Sequence, residues 1–247
     1  MNRTNDSSID IAALTAQGAR ENNEDAFRVV ETAKATMVLV ADGLGGYEGG
    51  ERASKAVCDV MESCFLAYPE VEEANVRRMI VAAHDAVCDL QKNGGSMKST
   101  LCALLWSDTQ RILAHVGDTR GYLFSKADIV HMTSDHSVAM QAVRMQELKM
   151  SALRKSPDRN KLLRTMGGDS VRADLFTWTS DEPVDRALLC TDGFWENVLE
   201  KEMCRTAKKS GNAREWLANM EHILCRKKDP SQDNYTAVAV VAKVSGT

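Results

Sequence analysis

A chain of 247 residues, 44% hydrophobic and 27% charged, has the composition of one sizeable globular domain with a real core. Its formal charge of −4 argues against non-specific nucleic-acid binding, which needs a basic surface, and its longest apolar runs fall far short of the roughly 20 residues of a membrane helix. Seven cysteines with no Cys-x-x-Cys spacing, and a polar N-terminus without the apolar stretch of a signal peptide, point to a reduced, cytoplasmic protein.

Residues 1–8 are polar and expected to fray. Ile9 to Thr15 alternates as a strand, and Ala26 to Glu31 returns as the second strand of a hairpin across the polar loop 17–25. That loop packs Arg20, Asn22, Asn23, Glu24 and Asp25 closely together, a costly mix unless it binds something, and the planar guanidinium of Arg20 suits an oxyanion. Met37 to Ala41 has the length and branching of a buried strand, and it breaks at once into Asp42-Gly43 and a glycine-rich loop. A helix follows Gly49-Gly50-Glu51 with Ala53, Val57, Val60, Met61 and Cys64 on one face. A second, over about 72–92, carries Val76, Met79, Ile80, Ala83, Val87 and Leu90 as its apolar stripe, with His84 off that stripe and solvated.

Leu101 to Trp106, Arg111 to Gly117, Gly121 to Phe124 and Ile129 to Met132 follow at hairpin spacing as an antiparallel meander. Asp135-His136-Ser137 caps a helix to about Leu148, His136 being either a proton carrier or a structural histidine beside the cap. The segment 149–170 is basic and without period, which suits either a flap at a binding site or a solvated excursion. Strands at Leu175 to Thr179 and Arg186 to Thr191, helices around Glu200 to Lys208 and Ala213 to Cys225, and a closing strand from Tyr235 to Val244 complete the chain. Cys58, Cys88, Cys102, Cys190 and Cys225 lie in apolar patterns and read as small core residues. The order of elements predicts an α+β fold, two mainly antiparallel sheets packed face to face with helices outside, a four-layer α-β-β-α sandwich.

Chemistry concentrates at the strand ends. Met37 to Ala41 ends in Asp42, Ile112 to Val116 runs into Gly117-Asp118, Ala187 to Cys190 into Thr191-Asp192-Gly193, and Asp233-Asn234 opens the last strand. Asp-Gly alone is also the commonest hairpin dipeptide. Four such ends, with Glu24-Asp25, predict a shared acidic rim whose mutual repulsion calls for divalent cations. Oxygen-only ligands favour Mg2+ or Mn2+.

Taken together, Gly18-Ala19-Arg20-Glu21-Asn22-Asn23-Glu24-Asp25, Ala41-Asp42-Gly43-Leu44-Gly45-Gly46, Ser99-Thr100, Val116-Gly117-Asp118-Thr119-Arg120, Asp135-His136, Thr191-Asp192-Gly193 and Asp233-Asn234-Tyr235-Thr236 stand in the order of one family. From about Thr15 to Val244 the chain resembles the metal-dependent protein serine/threonine phosphatases of the protein phosphatase 2C (PPM) family, in compact bacterial form. The resemblance implies a two-metal Mn2+ or Mg2+ centre in which Asp42 bridges the ions, Asp192 and Asp233 complete one, and Glu24 with the Gly43 carbonyl serves the other. Asp25 would hold metal-bound waters, Asp118 would ligate a weaker third ion, and Arg20 would bind the substrate phosphate. A hydroxide bridging the ions would then attack phosphorus in line.

Lys98 stands where the family usually has glycine before Ser99-Thr100, and either contacts phosphate, competes with the third ion or points to solvent. Arg159 in the flap is a further candidate substrate contact. Tyr47 replaces a frequent histidine, and Leu44 takes the position of a histidine acid found in some eukaryotic members. The implied protein is a monomeric cytoplasmic enzyme acting on phosphorylated serine and threonine proteins and opposing a serine/threonine kinase. Its rivals are a non-catalytic binding or regulatory module of the same fold, and a phosphohydrolase of small phosphate esters.

Overall fold

The computed structural model describes residues 9–45, 49–92, 95–227 and 229–243. Tyr47 and the first eight residues lie outside them. The chain runs β1 (Ile9–Ala16), β2 (Asp25–Glu31), β3 (Ala35–Leu44), α1 (Gly49–Ala67), α2 (Glu73–Gln91), β4 (Lys98–Ser99), β5 (Leu101–Ser107), β6 (Gln110–Val116), β7 (Arg120–Ser125), β8 (Asp128–Met132) and α3 (Val138–Arg144). A short 3-10 turn, Met150–Lys155, interrupts the irregular 149–170 segment. Then come β9 (Asp174–Thr179), β10 (Arg186–Cys190), α4 (Asp192–Trp195), α5 (Glu200–Ala207), α6 (Ala213–Lys227) and β11 (Tyr235–Ala242).

Two antiparallel sheets result, β1-β11-β10-β7-β8 and β2-β3-β5-β6-β9, with β4 pairing the end of β3. The alternation of β3 shows why they stack. Met37, Leu39 and Ala41 join the cluster under α1 and α2, while Val38 and Val40 join the cluster between the sheets. On the far side, Trp195, Met203, Trp216 and Met220 pack the last helices onto the other sheet through Leu188, Ala237 and Ala239. The four-layer expectation holds.

Two connections differ from it. β1 and β2 are not a hairpin: β1 pairs with β11 and β2 with β3. The meander is likewise cut in two, because β5–β6 lies in one sheet and β7–β8 in the other. Both loops, 17–24 and 117–119, cross between sheets at the same end of the sandwich, and a crossing turn has the same length as a hairpin turn. That crossing is what brings the strand-end acids together. His84 is buried, not solvated, and its Nδ1 accepts a hydrogen bond of 3.1 Å from the Gly167 N–H. Cys58, Cys102 and Cys190 are buried as expected, but Cys88 is only partly buried and Cys225 is exposed in the last turn of α6. Among the described residues, no helix is long and apolar enough to cross a membrane.

Candidate metal centre

The end of the sandwich where the loops cross holds a cavity of about 610 Å3 lined by Arg20, Glu24, Asp42, Gly43, Asp118, Asp192 and Asp233, with Asn160 and Leu162 at its border. Each acid is fixed by its own strand end. Asp42, two residues before the end of β3, is held against Thr100, whose Oγ1 accepts from the Asp42 N–H (2.8 Å) while the Thr100 N–H donates to the Asp42 carbonyl (2.8 Å). The same Thr100 hydroxyl meets Thr119 Oγ1 at 2.6 Å, which ties Asp42 to the turn that carries Asp118. Asp192 opens α4 directly after β10, and a side chain on Gly193 would collide with the Asn234 carbonyl, so only glycine lets that turn approach β11.

Asn234 pins the crossing loop. Its Oδ1 accepts from the Glu24 N–H (2.9 Å), and its Nδ2 donates to the carbonyls of Gln17 (2.7 Å) and Asn22 (2.9 Å). Asp233 beside it accepts from the Arg20 guanidinium at 2.7 Å. Asp25 sits behind the cavity wall, opposite Asp42 in the β2–β3 register, and its Oδ2 accepts from the Thr191 hydroxyl at 2.9 Å. Its Oδ1, like that of Asp118, is buried without a partner.

Burial dominates the electrostatics. It pushes the carboxyls of Asp25 and Asp118 up to about 7, the latter with help from Asp135. Asp42 and Asp192 are raised well above the usual carboxylate range, first by burial and then by the neighbouring acids. Burial also raises Glu24. So many crowded carboxyls, two with orphaned oxygens, are costly in an ionised state unless cations stand between them. The donor set is all oxygen, so it fits Mg2+ or Mn2+ and not a soft metal.

Two expected contacts are not brought into the cavity. Lys98 is exposed on β4, opposite Leu44. Arg159 is held by Glu196, four residues beyond Asp192, through a two-point ion pair. Thr119 and Thr191 are legible in sequence only as members of the blocks around Asp118 and Asp192, and Trp195 carries no signal of its own. Trp195 Nε1 donates to the Asp118 carbonyl at 3.0 Å.

A buried, oxygen-only acidic rim at the open end of an α-β-β-α sandwich, with one arginine among its acids, defines the class of metal-dependent phosphatases. The family model for protein phosphatase 2C matches residues 16–234, and the chain belongs to that family. It is 30% identical over 237 residues to the serine/threonine phosphatase Stp of Listeria innocua, covering 90% of each chain. It superposes on the crystal structure of the Staphylococcus aureus serine/threonine phosphatase Stp1 with a TM-score of 0.85 at 27% identity, covering 95% of each chain. The fold also matches the catalytic domain of the phosphatase PstP in complex with two manganese ions, with a TM-score of 0.81 at 24% identity over 94% of this chain and 97% of that one.

Proposed function

We infer that this protein is a metal-dependent protein serine/threonine phosphatase that hydrolyses phosphoserine and phosphothreonine. The observation that carries the reading is the convergence of Glu24, Asp42, Asp118, Asp192 and Asp233 on one cavity that also contains Arg20. Asp42, Asp192 and Asp233 would hold the core ions with Glu24 and the Gly43 carbonyl, and Asp118 a further one. Mn2+ or Mg2+ supplies the charge neutralisation and the acidified water that hydrolysis at neutral pH needs.

The chain's own groups do the rest. Arg20 presents a planar donor fork to the phosphoryl oxygens and thereby orients phosphorus over the acids. Asp25, held by Thr191, offers its unpartnered Oδ1 to water at the back of the site. Asn160 and Leu162 bring segment 149–170 to the cavity border, which supports its role as a flap meeting the residues that flank the phosphoamino acid. The charge of −4 and the absence of a basic stripe speak against nucleic acid. Retention of every core acid speaks against a non-catalytic module. We further propose that the chain works as one catalytic unit, a monomer that reverses a serine/threonine kinase in the cytoplasm.

The test is phosphate release from a phosphothreonine peptide, with and without Mn2+, in the wild type beside Asp192→Asn. Turnover that requires Mn2+ and drops at least about 100-fold in the variant is expected, in line with the loss of a charge-stabilising group. Metal binding by calorimetry without any turnover would overturn the enzyme reading.

A further inference from the structure

Behind the acidic rim lies a second polar cluster. His136, buried, grips Gly117 from both sides: its backbone N–H donates to the Gly117 carbonyl (2.8 Å), and its Nδ1 accepts from the Gly117 N–H (3.1 Å). Gly117 needs such a grip. Its φ is +102°, and a Cβ there would lie 2.7 Å from the Thr100 methyl, so it is a special turn immediately before Asp118. An Nδ1 that accepts leaves the proton of the neutral ring on Nε2, which donates to Asp174 Oδ2 at 3.1 Å. Arg164, from the flap, donates to the other oxygen of Asp174 at 3.0 Å. His115 stacks on His136 with ring centroids 4.3 Å apart and spends its own Nε2–H on the Ser134 carbonyl (3.0 Å).

His115, His136 and Asp174 bring ligand atoms within 4.8 Å of one another, yet they do not make a metal site. The Arg164 guanidinium already supplies a cation there, 3.2 Å from His136 Nε2. With Nδ1 accepting from Gly117, the ring proton sits on Nε2, which then has no free lone pair for a metal. The cluster is aimed the other way, at the backbone that leads into Asp118.

We propose that His136 is the positioning residue of the Asp118 ligand: its Nδ1 holds the Gly117–Asp118 turn in register, and Asp174 with Arg164 fixes the tautomer that lets it do so. The inference rests on the metal-dependent reading above. Outer groups that orient a ligand in this way commonly change metal affinity about 10–100-fold when removed. Burial is the first cause of a lowered His136 pKa, with Asp174 pulling the other way, which favours the neutral ring.

Two near-isosteres separate this role from simple packing. In His136→Asn the side-chain oxygen falls near the Nδ1 position and can still accept from Gly117. In His136→Gln the polar end falls near Nε2, so the Asp174 contact stays and the Gly117 acceptor is lost. The experiment is calorimetric titration of the full-length protein with Mn2+, for the wild type, Asp118→Asn and both histidine variants, with thermal midpoints recorded alongside. The binding step that disappears in Asp118→Asn is the one to follow. His136→Gln is expected to weaken it about tenfold or more, His136→Asn to leave it within about threefold, and the remaining steps to stay as in the wild type. Asp174→Ala, a change at a half-exposed side chain that should fold whatever happens at His136, removes the acceptor of the Nε2–H and should weaken the same step several-fold by releasing the tautomer. Equal affinities in Gln, Asn and wild type, or an unchanged step in Asp174→Ala, would overturn the proposal. A wild type that binds no Mn2+ at all would instead bring down the metal reading itself, and this inference with it.

Discussion

Arg20 and Asp233 are the two residues whose expected roles collide. One is expected to grip phosphate and the other a cation, yet they hold each other at 2.7 Å, with the arginine side chain 61% exposed. Asp233 is the main cause, through its hydrogen bond, of the raised Arg20 pKa. The guanidinium therefore acts as the cation of Asp233 in the metal-free chain, and a divalent ion held by that carboxylate would free it to turn to a phosphoryl group. Removing it should separate the two functions. Arg20→Ala is expected to bind Mn2+ as tightly as the wild type or more so, while kcat/KM on a phosphothreonine peptide falls about 100-fold. Arg20→Lys should recover only part of the loss, because an ammonium lacks the two-point fork. Parallel titrations and Michaelis curves check both halves, and a joint fall of Mn2+ affinity and activity would show the arginine to be structural.

At the scale of elements, the acids were legible because each stands where a buried strand meets glycine or a turn, a pattern that local sequence carries. The partition of strands between sheets was not. Nothing in the spacing of β6 and β7 says that Gly117-Asp118-Thr119 crosses from one sheet to the other, and only the whole set of pairings decides it. The buried partners of the acids were hidden for the same reason. Arg120 stands in sequence only as the last residue of the block around Asp118, but it is 2% exposed, bonded to both oxygens of Asp135 at 2.7 Å and stacked 3.5 Å over Trp195. Arg154 reaches the same assembly from segment 149–170 through Glu200 at 2.5 Å. A buried pair broken on one side leaves an uncompensated charge, so Asp135→Asn should cost about 3–5 kcal/mol. With roughly 2–4 °C per kcal/mol for a chain of this size, the thermal midpoint should fall by about 6–20 °C. A change below about 2 °C would mean that water or Glu200 already compensates the guanidinium.

For the whole molecule, the acidic rim makes stability, pH and metal one linked quantity. Asp25 and Asp118 go from an ordinary value of 3.8 to about 7 on folding, and Asp42 and Asp192 are likewise raised well above that ordinary value. The folded state therefore holds protons that the unfolded state has released, and that contribution to stability is full below about 4 and is lost as pH rises through 7. His115 works with the opposite sign: burial lowers it from 6.5 to about 3, so its contribution is lost as pH falls below 6.5. The interval from about pH 6.5 to 8 therefore isolates the carboxyls. Metal-free protein should lose about 5 °C or more of thermal midpoint across it, while saturating Mn2+ should remove most of that loss by taking the place of the protons. Asp118→Asn, which deletes one of the raised carboxyls, should flatten the metal-free curve and raise its alkaline end. Midpoints measured in chelator and in Mn2+ at both pH values decide it. A metal-free protein whose stability is level from pH 6.5 to 8 would mean that the rim carboxylates are ionised and balanced without cations, and the electrostatic argument for the metal centre would fall.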